Sequence, residues 1–75
     1  MAGRLPALTA LDVERVLAAI GFTLDRQRGS HRIWLRRGDG VTIVVPAHSG
    51  DLKRGTLRAI IRATGLTVDE FLEHR

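Results

Sequence analysis

A chain of 75 residues with no cysteine reads as one domain, 1–75, near the lower size for folding without disulfides, and it has no thiolate zinc site. No run approaches the ~20 apolar residues of a membrane span, and the first residues lack a signal peptide's apolar stretch, so a cytoplasmic chain is expected. The net charge of +4 hides a sharper pattern: +7 between residues 26 and 62, against −1 before and −2 after, a basic middle of the kind that binds a polyanion.

In chain order, Met1–Leu8 reads as a loose lead-in, with Pro6 discouraging an earlier helix. Thr9 followed by Asp12 forms a short capping box. Val13, Val16, Leu17 and Ile20 then recur at helical spacing, predicting a first helix over Ala10–Ile20 with Gly21 closing it. Phe22–Gln27 alternates as a short strand, with Phe22 and Leu24 on one face. Arg28-Gly29-Ser30 turns into a second strand with Ile33 and Leu35 on one face and Arg32, Trp34 and Arg36 on the other. Arg37-Gly38-Asp39-Gly40 is a hairpin loop, and Val41–Val45 is a β-branched strand stopped by Pro46. A loop, Ala47–Arg54, carries His48 and Asp51. From about Gly55 to Gly65, Leu57, Ile60 and Ile61 form one stripe and Arg54, Arg58 and Arg62 another. Thr67 with Glu70 is a second capping box, opening a short terminal helix through Phe71 and Leu72, with 73–75 as a loose tail. The expected fold is α+β: two layers in the order αβββα(α), with a three-stranded antiparallel sheet.

No phosphate loop, nucleophile elbow or two-histidine zinc helix is present. His48 with Asp51 lacks a third metal ligand nearby, so neither metal nor cofactor is expected. His31 stands out among the three histidines. Strand alternation places it on the face of Ile33 and Leu35, which makes it either a histidine at the core's rim bonded to backbone or a reactive group. Gly29 permits close backbone approach, Ser30 offers a hydroxyl, and Arg28 and Arg32 flank it. Such a set suits RNA cleavage. An imidazole can take the proton of a ribose 2′-OH, while arginines and backbone N–H groups hold the phosphate. His48, Lys53 and Arg54 extend the expected RNA contacts, and Arg58 and Arg62 fit a solvated helix stripe equally well. Trp34 fits either an interface anchor or ordinary core.

Taken together, Gly21-Phe22, "RQRGSH" (Arg26–His31), "VTIVVPAH" (Val41–His48) and "RGTLRAIIRATGLTVDEF" (Arg54–Phe71) resemble the HicA toxin family of small bacterial mRNA interferases. The resemblance runs from about Thr9 to Phe71. It implies a double-stranded-RNA-binding-like fold, metal-independent cleavage of mRNA and His31 as the catalytic histidine. It also implies a HicB-type antitoxin that blocks the site within a hetero-oligomer. The alternatives from other classes are a non-catalytic basic RNA-binding module and a domain that only pairs with an acidic protein.

Overall fold

The computed structural model describes residues 5–75. Helix α1 (Ala10–Ala19) starts where Thr9 and Asp12 cap each other: the Asp12 N–H donates to the Thr9 hydroxyl at 3.2 Å, and the Thr9 N–H to the Asp12 carboxylate at 3.0 Å. It stops because Gly21 takes φ +100°. The Phe22 N–H then reaches back to Leu17 C=O at 2.9 Å and the Gly21 N–H to Ala18 C=O at 3.3 Å, the paired bonds of a Schellman motif. That reversal drops Phe22 into the core.

Strands β1 (Thr23–Arg28), β2 (His31–Arg36) and β3 (Val41–Pro46) form an antiparallel sheet in that order, with a bulge between Leu24 and Arg26. Helix α2 (Arg54–Thr64) and the short α3 (Val68–Leu72) complete the α+β fold expected from the sequence. The β2–β3 loop is held by Asp39, whose carboxylate accepts from the Arg36 guanidinium at 3.0 and 2.7 Å and from the Val41 N–H at 3.3 Å. Arg36 in turn stacks 4.7 Å over the Phe22 ring and donates to Thr64 C=O at 3.3 Å, tying the far end of β2 to the end of α2.

Two expectations are corrected here. The first concerns which sheet face is covered. Register pairs Trp34 with Ile43, Arg32 with Val45 and Arg36 with Val41, so these six share a face. Trp34, Ile43 and Val45 belong to the core with Val13, Val16 and Leu17 of α1 and Leu57, Ile60 and Ile61 of α2. The helices therefore cover the Trp34 face, and His31, Ile33 and Leu35 lie on the uncovered one. Leu24, expected to share a face with Phe22, is 41% exposed while Phe22 is buried. Trp34 is core, 9% exposed.

The second correction concerns the lead-in. Residues 1–4 lie outside the described part, but Leu5 and Leu8 are buried in the core, and the Leu52 N–H donates to Leu8 C=O at 2.9 Å. An isolated bridge joins Thr9 to Asp51. The segment is a packed strap, because two leucines find apolar neighbours across the chain. At the other end, 73–75 continues the turn of α3: the Glu73, His74 and Arg75 N–H groups bond to Asp69, Phe71 and Leu72 carbonyls.

Candidate catalytic and nucleic-acid-binding site

His31 opens β2 directly after a two-residue turn. Gly29 has φ +59° and Ser30 does not share that sign, the φ pattern of a type II′ turn, which wants glycine first. Arg28 and His31 flank the turn as a cross-strand pair and so point to the same face. On the other side His31 pairs with Pro46, and the Ala47 N–H donates to Ser30 C=O at 2.6 Å. This last bond fastens the start of the 47–53 loop to the turn, one residue before His48.

The His31 side chain is exposed and has no hydrogen bond to any described residue. It is not the backbone-bonded rim histidine that one reading of the sequence allowed. Its face of the sheet carries Thr23, Arg26, Arg28, Ile33, Leu35, Thr42, Val44 and Pro46. Arg26 is engaged by Asp25 at 2.8 Å. Arg28 makes no ion pair among the described residues, and it is the arginine beside His31.

Arg32, the other flanking arginine, points the opposite way. Its Nε donates to the Glu14 carboxylate of α1 and one terminal nitrogen donates to the Gln27 side-chain oxygen at 2.9 Å. The same Glu14 oxygen accepts from Trp34 Nε1 at 2.7 Å. Glu14 is a largely buried carboxylate with two donors on one oxygen, the kind of pairing that a charge taken from water requires. Sequence reading missed it. Its signal was positional: 10, 13, 14 and 17 form one helical stripe, and Glu14 interrupts an otherwise apolar one.

His48, Lys53 and Arg54 are exposed, and none has an acidic partner among the described residues. Lys53 occupies the position before α2 without a side-chain cap, leaving the first N–H groups of that helix free for an anion. The Leu8–Leu52 bond and the Thr9–Asp51 bridge set this corner beside the start of α1. The structure thus joins Arg28, Gly29, Ser30 and His31 in one turn and links it to the loop bearing His48. Lys53 and Arg54 lie at that loop's far end, and Arg32 faces the helices. No three His, Asp or Glu side chains among the described residues group as a metal site.

No helix among the described residues is long and apolar enough to cross a membrane. A family model described as the HicA toxin of bacterial toxin–antitoxin systems matches residues 11–66. No curated protein matches the chain.

Proposed function

The chain belongs to the HicA toxin family of bacterial toxin–antitoxin systems, and from that premise we propose that it is an endoribonuclease that cuts mRNA without a metal ion. The coarser role is that of a toxin, and the family implies an antitoxin as its partner. In the finer reading His31 is the general base, and a HicB-type antitoxin occludes it in a hetero-oligomer.

One observation carries the catalytic reading. Among the described residues, an imidazole stands without a hydrogen bond on an uncovered sheet face, cross-strand from an arginine that makes no ion pair. His31 takes the proton of a ribose 2′-OH, the 2′-oxygen forms a bond to phosphorus, and the bond to the 5′-oxygen breaks. The leaving oxygen takes a proton from His48, Lys53 or water. Arg28 and the N–H groups of the Gly29–Ser30 turn hold the phosphate as charge grows on its oxygens. His48, Lys53 and Arg54 follow the RNA backbone. Arg32 has most of its guanidinium committed to Glu14 and Gln27, leaving one terminal nitrogen for a phosphate.

The test is cleavage of a long RNA in EDTA by the full chain and by His31→Ala. Loss of a general base costs about 10²–10⁴-fold in rate, and attack by the 2′-oxygen leaves a 2′,3′-cyclic phosphate end. The melting temperature should move little, since the side chain is exposed and makes no hydrogen bond among the described residues. A variant cutting at near wild-type rate removes His31 from the mechanism. Salt-dependent RNA binding without cleavage by either protein would make the chain a binding module instead.

A further inference from the structure

The second half of α2 and the turn into α3 border an open surface groove of about 250 Å³, lined by Arg58, Ile61, Arg62, Leu66, Thr67 and Val68. That is smaller than the ~300–1,000 Å³ of small-molecule sites, a size suited to one or two side chains. Its floor is aliphatic: Ile61 is buried, and Leu66 and Val68 pack on the core from the rim. Arg58 and Arg62 stand one helical turn apart, a like-charge spacing that disfavours a helix unless an anion answers it. Both are exposed and neither makes an ion pair among the described residues. Of the acids on α3, Glu70 accepts from the Thr67 N–H at 2.8 Å, and Asp69 forms no ion pair among the described residues.

The groove is not an extension of the His31 site. Arg36 ends the strand that His31 begins, and Arg36 is the residue that touches the end of α2. Five steps along a strand separate the two by roughly 17 Å, and the helices lie on the sheet face opposite His31.

We propose that this groove docks an acidic segment of a protein partner, with one apolar side chain seated on Ile61, Leu66 and Val68 and flanking carboxylates on Arg58 and Arg62. The charge of the rim selects the acids and the floor selects a peptide over a nucleic acid. RNA would satisfy the arginines but leave the aliphatic floor empty, and the lining has no aromatic ring on which a base could stack. The site stands independently of catalysis at His31.

The test titrates the ¹⁵N-labelled full chain with a blocked peptide, Asp-Glu-Leu-Leu-Glu-Asp, with the same peptide carrying serine for both leucines, and with oligouridylate. The leucine peptide should shift the amides of residues 58–68 with a Kd of about 1 mM or tighter, the scale of a few side chains. The serine peptide, and the leucine peptide on an Arg58→Gln/Arg62→Gln variant, should bind at least about fivefold more weakly. His31→Ala should bind as the wild type does. Both arginines are exposed, so the double variant keeps its amide dispersion. Absence of shifts at 58–68, or equal binding by both peptides or by the double variant, overturns the proposal. Shifts there with oligouridylate but not with peptide would assign the arginines to RNA and overturn it equally.

Discussion

Removing the Glu14 carboxylate should unseat the strand that carries His31. Glu14→Ala leaves Trp34 Nε1–H buried with no acceptor, a cost of about 1–3 kcal/mol. It also takes the counter-charge from Arg32. A fully buried pair broken in this way costs about 3–5 kcal/mol, but the Arg32 side chain is 29% exposed and keeps Gln27, so about 1 kcal/mol is the fitting increment. The total, about 2–4 kcal/mol, is a large part of the ~4–11 kcal/mol expected for a domain of this size. At about 4–8 °C per kcal/mol, Tm should fall by roughly 10–30 °C. Glu14→Gln keeps an acceptor for the indole and should cost nearer 1 kcal/mol. In a Trp34→Phe background, which has no indole N–H to orphan, Glu14→Ala should cost about 1–2 kcal/mol less. Circular dichroism melts and urea titrations measure these values, and the chain's one tryptophan reports the site by fluorescence. A Glu14→Ala melt within about 2 °C of wild type, or a cycle with no coupling, refutes the network as a clamp.

Leu5→Ala should cost about 2–5 kcal/mol if the strap is core, measured by urea denaturation, whereas a loose lead-in would show no change. Arg28→Gln and Lys53→Gln should each flatten the slope of log affinity for single-stranded RNA against log salt by about 0.7, and an unchanged slope rejects that contact. Backbone and hydroxyl bonds from Thr9 hold Asp12 below its ordinary 3.8, and the Arg36 guanidinium does the same for Asp39. Their stabilising effect is therefore complete above the unfolded value and disappears as pH falls through the lower folded values. Below pH 3.8 an Asp12→Asn/Asp39→Asn variant should show a flatter loss of stability than wild type, and parallel curves would refute it.

Local features of this fold were legible from residues close in sequence. The Thr9–Asp12 and Thr67–Glu70 boxes, the Gly21 and Gly65 stops and the Gly29 and Gly40 turns each depend on neighbours within four positions, and each stands where the sequence placed it. What failed was the choice of sheet face. Ile33 and Leu35 on one side and Trp34 on the other give β2 two apolar faces, so alternation alone had no arbiter. The decision lies 20 residues upstream, where Glu14 offers the indole an acceptor that only the folded chain supplies. The Leu5–Leu8 strap has the same origin, since its partner Leu52 is more than 40 residues away. The Gly29–His31 turn was readable as a candidate site and alternation already set Arg32 opposite His31, but Arg28's place on the His31 face followed from the turn register, and Arg32's bond to Glu14 from the covered face.

Helices shield one side of this sheet, and the other side bears the residues proposed to meet RNA and antitoxin. Apart from the buried Ile33, side chains there such as Arg28, His31, Thr42 and Val44 contribute little to the core, and exposed changes of that kind usually stay within about ±0.5 kcal/mol. Recognition on this surface can therefore drift without approaching the threshold below which the domain unfolds. A reversed charge at Arg28 answered by a reversed charge in its partner would create a private pair that rejects the parental one. The uncovered sheet is thus a surface on which orthogonal pairings can arise, with folding entrusted chiefly to residues on the covered face.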